Sequence, residues 1–262
     1  MPVMSELNCE PMTSDRGVLV GPDASSAYWG EIEQSQFREL IGTIQSEGDF
    51  NLGVLKYFAS HKRKDLYAYI TDVQGRSLWH RFIEKSSSGT AIDLGAGLGA
   101  ISEFLCAQYE RVYAVEGCRD RCEFLALRGK LNELSNLRVL HNNIYSLPFR
   151  DRSADLIACN GVLEWAGLNR AGNVRAIQLE FLKEANRVLK DDGLLYVGIE
   201  NRFARLYFKG KLKDHSGLNY TSLAPRWIAE CRAERSTTPA LHPSIRSSES
   251  RCDRTQRAFA VV

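Results

Sequence analysis

Apolar positions fall into two textures along the chain, divided near residue 89. Before it, Phe37, Leu40, Ile41 and Ile44 stand at i, i+3, i+4 and i+7, which predicts an amphipathic helix beginning near Gln34. Phe50 to Phe58 is apolar with no clean period, and Leu78, Trp79, Phe82 and Ile83 predict a further short helix. Between them, His61-Lys62-Arg63-Lys64 reads as a solvated turn or helix start. Residues 1–30 are polar with scattered Gly and Pro and read as a mostly irregular arm, and Ser86-Ser87-Ser88-Gly89 reads as a linker.

From Thr90 short apolar runs alternate with helical stripes. The runs are TAIDL (90–94), RVYAVE (111–116), LRVLHN (137–142), ADLIACN (154–160) and LLYVGIE (194–200). Ile101, Phe104 and Leu105 share a helical face after the first run, and Phe124, Leu127 and Leu131 after the second. Val174, Ile177, Phe181, Ala185 and Val188 form a long stripe before the fifth, and Asp191-Asp192-Gly193 is expected to end that helix with Gly193 in the left-handed position. Strands and helices in this alternation predict βαβ units, right-handed crossovers and a parallel sheet covered on both faces. The expected fold is therefore α/β, Rossmann-like and doubly wound, with a mostly parallel sheet. After Glu200 the pattern fades: 201–222 is basic and aromatic, and 223–230 fits one short helix. From Cys231 the chain is Ser/Arg/Thr-rich and aperiodic until a terminal AFAVV, so a disordered tail over 231–262 is the expectation.

Composition narrows the picture. The 262 residues are 44% hydrophobic and 25% charged, an ordinary globular balance. The 34 basic and 32 acidic residues nearly cancel, which argues against a broad nucleic-acid footprint. The small excess sits in the tail, where six Arg face three acids. Seven cysteines without a CxxC pair argue against zinc and for free thiols in a reducing cytoplasm. No apolar run is long enough to span a membrane, and the N-terminus lacks the basic head and apolar stretch of a secretory signal.

The chemistry is concentrated where the first strand runs into Asp93-Leu94-Gly95-Ala96-Gly97-Leu98-Gly99-Ala100. Glycines at that place let the backbone turn sharply and let a ligand approach it, outside the carboxyl ends of the strands. Gly95, Gly97 and Ala100 satisfy a dinucleotide fingerprint, which keeps an NAD-dependent oxidoreductase as an alternative. Asp93, two residues before the first glycine, weighs against it, because an acid there would repel a pyrophosphate. S-adenosylmethionine carries no phosphate and offers a sulfonium and an ammonium, which an acid attracts. Glu116 ends the second strand and suits the ribose diol of either cofactor.

The stretches AIDLGAGLGAIS, VYAVEG, NNIYSLPFRDRSADLIACNGVLEW and LKEANRVLKDDGLLYVGIENR cover about 90–202. In that order and spacing the chain resembles the class I S-adenosylmethionine-dependent methyltransferases, in particular the type 11 methyltransferase domain. The resemblance implies that Asp93 and the backbone at Gly95, Ala96, Gly97 and Gly99 hold the methionine part, and that Glu116 holds the ribose. It places Asn143 and the backbone of Ile144 at the adenine, and the carbonyl of Asn160 at the methionine ammonium. Two positions depart from the pattern. Asn143 stands where the family usually has an acid, and Gly117 where it often has an apolar side chain over the adenine. Taken alone, Asn143 and Asn160 are equally well read as ordinary turn residues.

The resemblance also implies three regions: an N-terminal arm and helices covering the site (1–88), the S-adenosylmethionine-binding domain (89–230), and the tail. The family's sheet ends in an antiparallel hairpin, which is missing or altered in this sequence; the change to Arg and Ser without Lys suits a truncated or frame-shifted end. That leaves a catalytically silent cofactor-binding module as a further alternative. The phrase IENRFARLYFKGKLKDHSGLNYTSLAPRW is similar to methyltransferase modules of bacterial surface-polysaccharide synthesis, which implies a small-molecule or glycan-type acceptor. His215 and Glu164 are the candidate bases, with a surface loop residue and a helix-start acid as the plainer readings. Trp165 and Arg202 are candidates for acceptor contacts, and Lys209, Lys211 and Lys213 for an anionic group on it.

Overall fold

The computed structural model describes residues 6–8, 12–13, 16–24, 32–83, 89–166, 172–199 and 259–261. The strands are β1 (Met12–Thr13), β2 (Val18–Val20), β3 (Thr90–Leu94), β4 (Arg111–Glu116), β5 (Leu137–His141), β6 (Ala154–Asn160), β7 (Leu189–Gly198) and β8 (Phe259–Val261). The helices are α1 (Gln34–Glu47), α2 (Phe50–Ser60), α3 (Lys64–Thr71), α4 (Val73–Arg76), α5 (Ala100–Cys106), α6 (Arg119–Leu131) and α7 (Val174–Val188). They form one sheet in the order β1-β2-β5-β4-β3-β6-β7-β8. Only the β1–β2 pair is antiparallel among the described strands. The expected Rossmann-like, doubly wound sheet is present. Its order reverses at β3, so the loop after β3 and the end of β6 face a common crevice.

Both faces are covered, as continuous apolar strands require. Ile92, Leu94, Tyr113, Val115, Ile157, Cys159, Leu195 and Val197 pack with Phe181, Ala185 and Val188 of α7. Ala91, Val112, Ala114, Leu156 and Ala158 pack with Ile101 and Leu105 of α5, Cys122 and Leu125 of α6, and Trp79. On α1 the four periodic residues Phe37, Leu40, Ile41 and Ile44 are all buried, each contributing about 1.5–3 kcal/mol. Their partners are Phe50, Val54 and Tyr57 of α2, Leu66 and Ile70 of α3, and Leu98 and Phe124 of the α/β unit. The Asp49 carboxylate caps α2, accepting from the Leu52 N–H at 2.8 Å, and the Asn173 side chain caps α7.

Two local expectations are corrected, and the mostly irregular arm gains a short strand. The arm is not wholly irregular: Val18, Leu19 and Val20 pair in parallel with Val139, Leu140 and His141, and Leu7 bridges Phe149. A three-residue strand is too short to show a period. Gly193 does not end α7 in a left-handed conformation. The chain turns directly from Val188 into β7, whose pairing with β6 shifts register between Ala154 and Leu156. A Cβ on Gly193 would stand 2.7 Å from Leu189 Cγ and 3.0 Å from the Ala154 carbonyl oxygen, so glycine serves strand packing there. Finally, Phe259–Val261 pairs in parallel with Leu195–Val197, adding an edge strand where the family has its hairpin. The remainder of 231–262 and the linker at 86–88 lie outside the described residues.

One buried charge joins the helical cover to the sheet. Arg128 on α6 is 2% exposed. Its Nε–H donates to the Glu103 carboxylate at 2.6 Å, and Nη1 donates to the carbonyls of Leu98 at 2.6 Å and Ile70 at 3.0 Å. The guanidinium lies over the Phe50 ring, 4.9 Å from its centroid. Burial lowers its pKa and Glu103 acts against that. Arg128→Met keeps the stem but strands two buried carbonyls and leaves Glu103 with the Asn132 amide, without its charged partner. The expected loss is about 2–4 kcal/mol, read from the urea midpoint. A loss below about 1 kcal/mol would mean that packing alone holds the cover.

Candidate functional site

The cleft lies at the carboxyl ends of β3 and β6 and is lined by Tyr69, Arg76, Asp93, Gly95, Ala96, Leu98, Gly99, Ala100, Ile101 and Asn160. The register explains the floor. Asp93 pairs with Ala114 on one side and Ala158 on the other, and Ala158 pairs with Tyr196, so these four residues form a row on one face. Two small neighbours leave the Asp93 carboxylate room on that face. It is 2% exposed and accepts from the Ser102 hydroxyl at 2.6 Å. Burial pushes its pKa up to about 6; Ser102 and the positive Arg76 act against this shift, and Glu116 adds to it.

The loop after β3 is wound tightly by three left-handed glycines, Gly95 (φ 67°), Gly97 (φ 57°) and Gly99 (φ 82°). A Cβ on Gly97 would stand 2.9 Å from the Tyr69 hydroxyl, and one on Gly99 would stand 2.5 Å from Leu125 Cδ2. The loop spends its donors internally. Gly95 and Ala96 N–H donate to the Val115 carbonyl at 2.8 and 3.1 Å, and Gly99 N–H to Ala96. Gly97 N–H donates to Glu116 Oε2 at 2.9 Å, and the other oxygen of Glu116 accepts from Cys118 N–H at 2.9 Å. A phosphate cradle needs N–H groups turned toward the ligand. Four of them here are taken, and the flanking side chains are acids. The arrangement suits cations and hydroxyls and offers little to a pyrophosphate.

Asn160 ends β6, and its side-chain carbonyl accepts from the Tyr196 hydroxyl at 3.0 Å. Tyr196 is stacked on Trp79, with ring centroids 3.8 Å apart. Gly198 makes room for this pair: a Cβ there would overlap the Asn160 amide. Asn143 follows β5, and its side-chain carbonyl accepts from the N–H groups of Tyr145 and Ser146 at 2.8 and 3.0 Å. Both of its lone pairs thus serve the turn, and its amide N–H groups remain. Ile144 packs half-buried against the α7-side core. Gly117 accepts from the His141 ring at 3.1 Å.

Of the sequence-predicted residues, Asp93, Gly95, Ala96, Gly99 and Asn160 meet in the cleft, and Gly97 is bonded to Glu116 behind it. Glu164 and Trp165 lie on a short 3₁₀ turn just past β6; Glu164 Oε1 points back toward Gly161, and Trp165 is 40% exposed. His215, Arg202, Lys209, Lys211 and Lys213 lie outside the described residues. Sequence reasoning missed Tyr69, Arg76, Trp79 and Tyr196. Tyr69 and Arg76 sit in a region with no motif, and Tyr196 looks like any strand aromatic. Among the described residues no cluster of His, Cys, Asp and Glu could hold a metal ion, and no helix is long and apolar enough to cross a membrane. Burial raises the thiol pKa of Cys122 and Cys159, leaving both as core residues.

A family model described as "Methyltransferase domain" matches residues 92–197. No curated protein matches the chain. Among solved structures, the chain is similar to the YcgJ protein of Bacillus subtilis at 24% identity, with a TM-score of 0.40, covering 45% of this chain and 47% of that one. It is also similar to a SAM-dependent methyltransferase of Aquifex aeolicus at 18% identity, with a TM-score of 0.44, covering 70% of this chain and 87% of that one. The chain thus spans about half the length of the Bacillus structure. The segment from β3 to β7, with its reversal at β3 and its acid–glycine loop, belongs to the methyltransferase-domain family of class I S-adenosylmethionine-dependent enzymes.

Proposed function

We propose that this chain transfers the methyl group of S-adenosyl-L-methionine to a small-molecule or glycan-type acceptor. The observation that carries the reading is the Asp93 carboxylate, buried on the floor of the cleft and held near pH 6 in its titration. A buried carboxylate with one hydroxyl partner is relieved by a cation, and the methionine end supplies an ammonium beside a sulfonium. The inward-turned N–H groups of the loop support the same choice over a dinucleotide.

Each residue has a distinct task in this reading. Asp93 and the carbonyl of Asn160 hold the ammonium, and the left-handed glycines let the backbone approach the ligand closely. Glu116 accepts from the ribose hydroxyls while its bonds to Gly97 and Cys118 keep it in place. The Ile144 backbone and the Asn143 amide lie at the adenine end. When bound, the cofactor supplies an electrophilic methyl carbon on a positively charged sulfur. The protein's contribution is alignment, worth up to about 7–11 kcal/mol for well-placed reactants. Glu164, at the acceptor side of β6, is the described candidate for taking up an acceptor proton. The finer assignment, to bacterial surface-polysaccharide synthesis, rests on the sequence of 199–227 alone.

Calorimetry with S-adenosylhomocysteine and NAD tests the cofactor. Micromolar binding of the first and none of the second is expected; the reverse would sink the reading. Glu116→Gln keeps the shape but removes the charge and one acceptor. It should weaken S-adenosylhomocysteine by roughly 10–150-fold, the worth of about 1.5–3 kcal/mol for a charged hydrogen bond. An unchanged dissociation constant, with an unchanged melting temperature, rejects the ribose assignment.

The titration of Asp93 gives a pH signature. A cationic end binds the ionised carboxylate, whose fraction falls about tenfold from pH 7 to pH 5 when the pKa is about 6. Affinity for S-adenosylhomocysteine should fall by up to that factor over this range, with proton release on binding near pH 6. Asp93→Asn should flatten both effects. In the ligand-free protein the sign is opposite. The folded pKa lies above the ordinary value of 3.8, so the contribution of Asp93 to stability grows as pH falls from about 6 toward 3.8. A wild-type affinity level between pH 7 and 5 removes Asp93 from the ammonium.

A further inference from the structure

The β5 side of the sheet is extended by residues 18–20, far ahead of residue 92 where the family match begins. Val18–Val20 pairs in parallel with Val139–His141, so β2 and β5 end at the same rim of the sheet. Val18 and Leu19 are buried, and Gly21 N–H continues the ladder by donating to the His141 carbonyl at 3.0 Å. The next tie is a side chain. Asn142 is fully buried, and its side-chain carbonyl accepts from Asp23 N–H at 3.2 Å. Gly21 passes close to that side chain: a Cβ there would overlap the Asn142 amide. The Asn142 Nδ2 group holds the turn that follows, donating to the Asn143 carbonyl at 2.8 Å and the Ser146 carbonyl at 2.7 Å. Within this turn the N–H groups of Tyr145 and Ser146 are spent on Asn143, and that of Leu147 on Glu184. The N–H of Ile144 has no partner among the described residues.

A buried amide with its carbonyl and both its hydrogens engaged has one orientation, because turning it strands buried donors. The direction of the Ile144 N–H therefore depends on Asn142, and the orientation of Asn142 depends on the arm. We propose that β2 is a positioning element of the site. Docked on β5, it fixes Asn142, which aims the turn 143–146, so that selectivity for the nucleobase depends on a strand outside the family segment. This rests on the reading given above, which puts the Ile144 backbone at the adenine. Adenine N1 accepts a hydrogen bond, whereas hypoxanthine N1 carries a hydrogen. An N–H held in one direction pairs with the first and is left facing a donor by the second. Gly21 and Asn142 act through the turn and are positioning residues.

The test compares S-adenosylhomocysteine with S-inosylhomocysteine, which differ only in the base. Affinities are measured by calorimetry on the full chain for wild type, Gly21→Ala and Asn142→Ala, with melting temperatures alongside. Wild type should prefer the adenine ligand by about tenfold or more. Each variant should weaken S-adenosylhomocysteine by about 3–10-fold and the inosine analogue by less than about twofold, so that the preference shrinks. Loss of stability alone would leave the preference where it was. Equal wild-type affinities, an undiminished preference in folded Gly21→Ala, or equal weakening of both ligands overturns the proposal. If the variants are unfolded, wild type still decides, because coupling is reciprocal: a docked arm that tightens the adenine ligand is itself held by that ligand. With each ligand at the same multiple of its own dissociation constant, overall stabilisation is equal. Amide exchange over Val18–Val20 should then be slower by about threefold or more with S-adenosylhomocysteine than with the analogue. Equal exchange overturns the proposal. Failure of wild type to bind either ligand is a different result, which removes the cofactor reading itself and this inference with it.

Discussion

A guanidinium shut away from water on α6 sets the arrangement of everything around the cleft. A charge in that position costs several kcal/mol unless its hydrogen-bonding directions are filled. Arg128 fills them from separate places: Glu103 of α5, the Leu98 carbonyl of the glycine loop and the Ile70 carbonyl of α3, with Phe50 of α2 against its face. Shifting any of these elements by an ångström breaks a charged hydrogen bond in a dry setting. Gly99 is part of the same constraint. A Cβ at that position would stand 2.5 Å from Leu125 Cδ2 and 3.3 Å from Arg128 Cδ, and φ is 82°, so glycine suits the place where the loop settles on the arginine stem. The cover and the loop are therefore fixed relative to each other by electrostatics as much as by the apolar contact of Leu98 and Phe124 with α1–α3.

The cleft that results is divided by charge. Its floor carries Asp93, the bond behind it carries Glu116, and its roof carries Arg76. The loop between them has turned its N–H groups inward, to Val115, Ala96 and Glu116. The two acids and the spent donors act together, so that the loop itself offers a phosphate little, and the cation of the lining is Arg76, outside the loop. A glycine-rich loop after a first strand is thus not one device. The same spacing serves phosphates when its donors point out, and cations or hydroxyls when they are consumed at home.

Much of this was legible in the sequence, unevenly. The runs 90–94, 111–116 and 154–160 coincide with β3, β4 and β6, because strands buried on both faces leave continuous apolar words. The stripe Phe37, Leu40, Ile41 and Ile44 gave α1 for the analogous reason. What failed to show was structure too short for a period, as in β2, and structure whose reason lies far away in the chain. Gly193 reads locally as a helix stop, and only the Ala154 carbonyl passing beneath it explains a glycine inside a strand. At the site, Asp93 and the glycines were visible because a motif carries them. Arg76 and Tyr69 were not, because what brings them there is Arg128, a residue whose position on α6 gives no sign that it is buried.

The lining of the cleft is divided between two regions of the chain. The acid on the floor and the acid at the end of β4 come from strands whose positions the sheet register fixes. Tyr69 and Arg76 come from short helices, α3 and α4, joined to the sheet unit by the Arg128 bonds and one apolar cluster. Sheet residues cannot change without disturbing the rows on both sides: replacing Ala114 or Ala158 would crowd Asp93 directly. Cover residues face fewer neighbours. Arg76 is half-buried and touches chiefly the Tyr69 ring, so a change there alters the roof without disturbing the core. Physical coupling is strongest at the floor of the cleft and weakest at its helical edge. The helical cover is therefore the part of this molecule in which the lining of the cleft can change while the fold stays as it is.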